Sequence, residues 1–416
     1  MSKVIPHIID QHAEEAAFLW LLRHAAVDEP HYDLKDLANL DERVEAHIDG
    51  LRIAGDYGWD ICEKNLEFKE AGEVFAAAVL ALEGDSAEKL NIVYRVVESE
   101  LETVTGMISA LGWVEPVELA GKVSGLLASA DPLWRRVGIA ACAIHRVDPK
   151  SHLNSAFDDA DLQLQARALR AAGEIGRLDL LPKLLQKLTH ENVAIRFWAA
   201  WSSLLLGDRQ QAVTVLQETA LEATPLQPRA VASVVRILNS QLVKILLGKL
   251  AQKDGSLRIG ITGAGMCGDP VYIPWLIKQM ENPEQARVAG EAFSLITGID
   301  IAYDDLEAEE APENFSAGPT EDSGDENVAL DQDEDLAWPA VKLINEWWKK
   351  NKLSFTSGQR YLLGKPVSVE QCNHVLRAGK QRQRHAAAVE LALMQPASGL
   401  FETRAVGRRQ QKMLAV

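Results

Sequence analysis

The 416-residue sequence contains few of the residue types on which many kinds of site depend. Four cysteines lie far apart in apolar stretches without a Cys-x-x-Cys pair, so we predict buried free thiols rather than a zinc knuckle or a redox dithiol. Aromatic residues make up 6% of the chain and β-branched alternation is absent, which favours an all-α fold. No apolar run is long enough for a membrane span and no leader pattern opens the sequence, so we expect a cytoplasmic protein.

Positive charge is scarce in the first four fifths of the chain. Residues 1–336 carry 29 Lys and Arg against 56 Asp and Glu, whereas residues 337–416 carry 14 against 4. Because an acidic body repels phosphate, we expect no nucleic-acid binding by it. The asymmetry indicates either an internal pairing of acidic and basic segments or two different external partners.

The sequence offers no pattern typical of catalysis. It has no Gly-x-Ser-x-Gly elbow, and its Gly-x-Gly-x-x-Gly spacing at 263–268 has no strand before it. His7 and His12 are five residues apart, which does not align two metal ligands on one face of a helix. We therefore predict a non-enzymatic protein that needs neither a cofactor nor a metal.

One short pattern recurs from about residue 131 to residue 297. Each copy places an arginine in the first half of an Ala- and Gly-rich helix, and successive arginines are 29 to 33 residues apart. These arginines are Arg136, Arg167, Arg196, Arg229, Arg258 and Arg287. A period of this size predicts helical hairpins stacked in an array. We interpret the arginines as structural, with Asp–Arg contacts that set the register of neighbouring hairpins; a line of anion-binding groups is the alternative.

This succession of Asp, Arg, a small-residue helix, a Gly turn and a Leu-rich helix resembles the short HEAT-like repeat. The resemblance covers roughly residues 131–297 and implies an all-α solenoid. Similar repeats occur in phycobilin lyases, deoxyhypusine hydroxylase and a class of DNA glycosylases. The paired His-Glu iron ligands of the hydroxylase are missing, since His190-Glu191 is the only such pair in the sequence.

Three further segments resemble an uncharacterised bacterial family encoded in type VI secretion gene clusters. The first runs from Leu37 to Gly55, the second is the Gly358–Gly364 motif and the third lies between Gln381 and Ala392. The resemblance extends nearly from end to end of the chain, apart from the acidic insert. The resemblance implies a protein partner, such as a secretion spike, an adaptor or an effector, and it implies no chemistry. The possible partner-binding residues are Asp41, Arg43, His47, Asp49, Arg52, Trp347, Trp348, Arg360 and Tyr361.

Composition divides the chain into four segments. Residues 1–128 form a predicted helical block, residues 129–299 the repeat solenoid, residues 300–336 an acidic linker and residues 337–416 a basic helical tail. The linker has fourteen Asp and Glu and no Lys or Arg between residues 304 and 335, which predicts disorder. A docking strip for a basic partner is the other interpretation of this segment.

The sequence as a whole predicts a protein–protein interaction scaffold, specifically an accessory, adaptor or effector-loading protein of a type VI secretion system. An immunity-type inhibitor that binds a basic toxin through its acidic surface is an alternative. A HEAT-like nucleic-acid-binding protein or glycosylase is a second alternative, against which the sign of the charge argues. The oligomeric state stays open.

Overall fold

The computed structural model describes residues 5–84, 86–312, 315 and 331–415. Within these residues almost all regular structure is helical, and the two strands form a single hairpin. The described chain forms two compact units. Unit 1 comprises Met1–Gly207, Arg377–Arg382 and Gln395–Val416, and unit 2 comprises Asp208–Leu376 and Gln383–Met394. The four-segment division is a division of the sequence and stays a prediction.

The N-terminal block of unit 1 is built from seven helices. They are α1 Pro6–Ala26, α2 Leu34–Ala54, α3 Asp56–Asn65, α4 Ala71–Glu83, α5 Ala87–Ser99, α6 Val104–Trp113 and α7 Lys122–Leu127. Helix α4 is apolar on nearly every side and is the centre of the block, where α1, α5 and α6 cover it. Helix α2 begins at a capping box in which the Asp33 side chain accepts from the backbone N–H of Asp36, and the Asp36 side chain accepts from that of Asp33.

The repeats are helical hairpins, as the arginine period predicts. Their first helices are α8 Pro132–Ile144, α10 Leu162–Ile175, α12 Val193–Leu205, α14 Gln227–Val234, α16 Leu257–Cys267 and α18 Pro283–Thr297. Their second helices are α9 Ser151–Ala156, α11 Leu181–Gln186, α13 Gln211–Thr219, α15 Ser240–Gln252 and α17 Ile273–Gln279. Each of the six repeat arginines lies on a first helix, and the all-α solenoid prediction is confirmed.

Small residues bring neighbouring first helices close together. A Cβ atom added at Gly173 on α10 would lie 2.6 Å from the Ser202 hydroxyl oxygen on α12. A Cβ atom added at Gly265 on α16 would lie 2.8 Å from the Ala292 Cα atom on α18. The Ala- and Gly-rich helices of the pattern are therefore a requirement of close packing within each unit.

The tail contains α19 Val341–Asn351, β1 Tyr361–Leu362, β2 Lys365–Pro366, α20 Val369–Ala378, α21 Gln381–Met394 and α22 Gly407–Leu414. The two strands pair antiparallel, and the turn between them has positive φ at both Leu363 (49°) and Gly364 (77°). That combination is typical of a tight hairpin turn. The Ser368 side chain accepts a hydrogen bond from the Gln371 backbone N–H at 3.1 Å and so caps the start of α20.

The predicted acidic linker is only partly described. Residues 313–314 and 316–330 lie outside the described residues, so the prediction of disorder there stays a prediction. The flanking residues pack in unit 2, where Ile301, Leu306 and Asp333 are buried and Glu307 forms an isolated antiparallel bridge with Pro339.

Candidate functional site

Asp41 of the family-like N-terminal segment is a buried anchor within unit 1. One carboxylate oxygen accepts from Nε of Arg23 at 2.8 Å, and the other accepts from the backbone N–H of Gly407 at 2.6 Å. The side chain of Asp41 is 5% exposed. It therefore fixes the start of α22 against α2 and is not accessible to a partner.

Arg52 ties α2 to α4 through a group of carboxylates. Its guanidinium donates to both oxygens of Glu83 (2.7 and 2.6 Å), to Glu45 and to the exposed Asp49. Trp113 donates its indole N–H to the second oxygen of Glu45 at 2.6 Å. Burial opposes the charged form of Arg52, but the hydrogen bonds to Glu83, Glu45 and Asp49 outweigh it and raise the pKa of the guanidinium.

His47 and Arg43 lie in the middle of the same helix, and neither is fully buried. Arg43 is exposed. The Nδ1 atom of His47 lies 3.1 Å from the Nδ1 atom of His12 on α1. Of the five family-like residues in this segment, Arg43, His47 and Asp49 are the ones that a partner could reach.

The Gly358–Gly364 motif covers the C-terminal ends of three first helices in unit 2. Arg360 donates from Nε to the carbonyl of Cys267 at 2.9 Å and from Nη1 to the carbonyl of Arg236 at 3.1 Å. The backbone N–H of Tyr361 donates to the carbonyl of Gly268 at 2.8 Å, and those of Leu363 and Gly364 donate to carbonyls at the end of α18. The motif satisfies helix-end carbonyls that would otherwise lack donors.

Arg360 also belongs to a buried ionic triad. Glu390 on α21 accepts from Nε of Arg236 at 2.9 Å, and both of its oxygens accept from Arg360. The side chains of Arg236 and Glu390 are 3% and 5% exposed. Arg360 and Tyr361 are thus placed as structural residues, although the sequence suggested a partner-binding role for them.

Trp347 and Trp348 form an aromatic cluster in unit 2. The Trp347 ring packs edge-on against Phe293 of α18 with ring centroids 5.6 Å apart, and the Trp348 ring lies 5.6 Å from that of Phe355. Phe355 in turn contacts the buried Tyr361. Both tryptophans keep part of their surface exposed, so they connect α19 to the last hairpin and leave an accessible edge.

The repeat arginines use different partners in different hairpins. Arg196 donates to the carbonyls of His190 and Glu191, both at 2.7 Å, and closes the loop before its own helix. Arg135, one residue before the predicted Arg136, makes the same contact to Ser129 at 2.9 Å. Arg136 itself is half-buried; burial lowers the pKa of its guanidinium, and the charge of Asp161 opposes that shift.

Arg258 and Arg287 are held by aspartates from beyond the repeats. Arg258 forms a two-pronged ion pair with Asp333, and Arg287 donates to both oxygens of Asp331 at 2.8 and 2.6 Å. The Arg287 guanidinium also lies over the Trp338 ring, 4.5 Å from its centroid. The Asp–Arg contacts expected between neighbouring hairpins are replaced here by contacts to the end of the acidic segment.

Arg167 is neutralised on its own helix. It donates from Nη1 to Glu174 at 2.9 Å, and Arg170 donates from Nε to the other oxygen of Glu174 at 2.6 Å. The Arg170 guanidinium also lies 4.9 Å from the centroid of the Trp198 ring. Arg229 lies on α14. The contacts of Arg167, Arg196, Arg258 and Arg287 fit the structural interpretation of the pattern.

The thiols and the Gly-x-Gly-x-x-Gly spacing have structural surroundings. All four cysteines are buried and unpaired, and burial raises the pKa of Cys62 to about 12 and those of Cys142 and Cys372 to about 11. Thiols with such pKa values are not nucleophilic at neutral pH. Gly265 allows the approach of α18 to α16, and Gly268 ends α16 in the left-handed region.

A groove of about 550 Å³ runs along α5 in unit 1. Its lining residues fall at helical spacing on one face, and they are Glu88, Asn91, Tyr94, Arg95 and Glu98. The buried Trp134 of α8 holds two of these side chains in place: its ring centroid lies 4.2 Å from that of Tyr94, and its indole N–H donates to Glu98 at 2.8 Å.

This groove was missed at the sequence level, although the polar face of α5 is visible there as Glu88, Asn91, Arg95 and Glu98. Trp134, against which the Tyr94 ring packs, comes from a different helix. The groove combines one aromatic ring, that of Tyr94, with two carboxylates and one guanidinium. Such a surface suits an extended polar or basic segment better than a small apolar ligand, because it is open and its rim is charged.

A family model described as HEAT repeats matches residues 150–235. No curated protein and no solved structure matches the chain. The match supports a HEAT-like repeat protein, and HEAT repeats generally serve as protein-interaction scaffolds. Among the described residues, none of the helices combines the length and the apolar character needed to cross a bilayer.

Proposed function

We propose that this chain is a non-enzymatic protein-interaction scaffold that binds a basic segment of a partner in the α5 groove. The observation that carries the proposal is that Glu88 and Glu98 line the groove on either side of Tyr94, whose ring packs against the buried Trp134. Aromatic surface supplies contact area at low entropic cost, and the flanking carboxylates select cationic side chains. Arg95 at the rim would pair with an acidic residue of the partner.

The charge of the surrounding chain supports the same chemistry. Residues 1–336 carry 27 more acidic than basic residues, since 56 acids stand against 29 bases. A field of this sign raises the rate at which a basic protein finds the groove and disfavours nucleic acid. Salt screens this attraction, so binding should weaken as ionic strength rises.

The finer proposal places the scaffold in type VI secretion, as an accessory, adaptor or effector-loading protein. It is supported by the resemblance carried by the 37–55 and 358–364 segments. Many residues of these segments have structural roles in the fold, so they describe the architecture of the family more than a binding surface. An immunity-type inhibitor of a basic toxin uses the same acidic chemistry, and the identity of the partner separates the two.

The test is capture of the tagged full chain from its native host at low and high salt, with identification of retained proteins by mass spectrometry. The identified partner is then purified and titrated against the chain by fluorescence anisotropy. The groove variant combines Glu88→Lys with Glu98→Gln, because Gln keeps an oxygen that accepts from Trp134. We expect this variant to bind roughly tenfold or more weakly, about 1.4 kcal/mol.

The matched control combines Glu218→Lys with Glu222→Gln, two exposed acids elsewhere on the chain that make no side-chain contact among the described residues. It changes the net charge by the same amount and should leave affinity nearly unchanged. Equal losses in both variants would show that binding follows net charge and not the groove. Failure to capture any protein would overturn the scaffold function itself. A secretion component as partner supports the adaptor proposal, and a single basic toxin supports the inhibitor.

A further inference from the structure

Two histidines from different helices face each other in unit 1. His12 lies on α1 and His47 on α2, and their Nδ1 atoms are 3.1 Å apart. The ring centroids are 5.1 Å apart with the ring planes inclined at 67°. The sequence spacing argued against a metal within α1 because His7 and His12 do not share a face, but the second imidazole comes from α2.

The position of the His12 ring is fixed by the fit between the two helices. A Cβ atom added at Gly50 would lie 2.5 Å from Cδ2 and 2.6 Å from Nε2 of His12, so only glycine leaves room for this ring. Ile48 and Leu51 on α2 are fully buried and hold α2 in register beneath the pair. The two nitrogens are therefore held near one another before any ligand arrives.

The facing nitrogens have two possible states. If one ring carries its proton on Nδ1, the pair shares a single hydrogen bond. If both rings carry their protons on Nε2, two lone pairs face each other, and a cation between them removes the repulsion. Two histidine nitrogens bound to one tetrahedral ion at 2.0–2.1 Å are about 3.3 Å apart, close to the spacing seen here.

Two charged groups act on His47 with opposite signs. Glu15, one turn after His12 on α1, acts electrostatically on His47 with a sign that favours positive charge, whereas Arg43 on α2 opposes it. Imidazole binds metal in its neutral form, through the lone pair of the unprotonated nitrogen.

We propose that His12 and His47 bind one divalent transition-metal ion of the zinc, nickel or cobalt class through their Nδ1 atoms. Water fills the remaining coordination positions. The ion joins α1 to α2 and so stabilises the N-terminal block. This proposal is independent of the α5 groove.

The test is calorimetric titration of the chelator-treated full chain with Zn²⁺ at pH 7.5, with Co²⁺ absorption as a report of coordination. We expect the chain to bind one equivalent of Zn²⁺, and we expect the His47→Gln variant to bind it at least about tenfold more weakly. The control is His152→Gln, an exposed histidine on α9, which should leave that equivalent intact. Metal-free thermal melts of both variants show that each is folded.

The pH dependence gives a second measurement on the same protein. Protons compete with the metal for both Nδ1 atoms, so the His47-dependent binding of Zn²⁺ should become weaker as the pH falls from 7.5 to 5.5. The proposal is overturned if no equivalent is bound, if His47→Gln leaves the titration unchanged, or if His152→Gln removes the same equivalent. In those cases the two rings share a hydrogen bond and nothing more.

Discussion

Replacing Glu390 with Gln should destabilise unit 2 far more than the nearly identical shapes of the two side chains suggest. Glu390 is the only acid in its triad with Arg236 and Arg360, and the Arg236 side chain is 3% exposed. Gln keeps one accepting oxygen, but its NH₂ group faces guanidinium N–H groups and cannot accept from them. Breaking a buried ion pair by removing one charge costs about 3–5 kcal/mol, because the remaining charge is left uncompensated. Since Arg360 is 27% exposed and partly solvated, we expect about 3 kcal/mol.

Native-state hydrogen exchange read by mass spectrometry measures this change locally. Peptides from α14 and α21 should lose protection by an amount equivalent to about 3 kcal/mol. The control is Glu346→Gln on α19, an exposed acid, which should change protection by less than about 0.5 kcal/mol. A loss below about 1 kcal/mol at Glu390, equal to that of the control, would refute the argument that this carboxylate neutralises two arginines.

Two further outcomes follow from buried charge and from backbone geometry. Desolvation opposes ionisation of Glu174, but the charges of Arg167 and a neighbouring arginine outweigh it and lower the pKa of this carboxyl group from 4.5 to about 2. The ionised carboxylate therefore stabilises the folded state by about 3 kcal/mol. This stabilisation is complete above pH 4.5 and is lost as the pH falls towards 2. Unit 1 should therefore lose stability in melts between pH 5 and pH 3, and Glu174→Gln should be less stable at pH 7 and less sensitive to pH in that range. Gly364→Ala should cost about 2 kcal/mol or more in thermal melts, because φ is +77° and the added Cβ atom would lie 2.5 Å from the Thr297 carbonyl oxygen. Gly358→Ala is its control, since φ is +82° with no atom within 4 Å, and equal costs would contradict the role given to the close contact.

Local features of the fold were predictable because local chemistry decides them. The arginine period identified every first helix, and aspartates before α8 and α10 accept from the backbone N–H groups of Leu133 and Leu164 as helix caps do. The exact repeat position was harder to assign. Arg135 and Arg196 each donate a hydrogen bond to the carbonyl six residues earlier. The period instead aligned Arg136 and Arg167 with Arg196, and Arg167 contacts Glu174 on its own helix.

The partners of the charged residues could not be read from the sequence. Arg287 is paired with Asp331, 44 residues later, and Arg360 is paired with Glu390 and with helix-end carbonyls about 90 and 120 residues earlier. A sequence pattern of period 30 carries no information about such distant pairs. For the same reason the sequence suggested Asp41 as a partner-binding residue. Its burial follows from the contact with Gly407, which is 366 residues later in the chain.

The bond between Asp41 and Gly407 has a consequence for how unit 1 unfolds. A stack of short repeats usually gains and loses structure one hairpin at a time, because each hairpin touches only its neighbours. Here one bond closes a loop of 366 residues, and the Leu400 backbone N–H donates to the carbonyl of Glu174 at the end of α10. Closing such loops has an entropic cost, and this cost is offset only when many contacts form together. Unit 1 should therefore unfold in a single cooperative transition, and residues 395–415 should exchange their amide hydrogens together with its first helices.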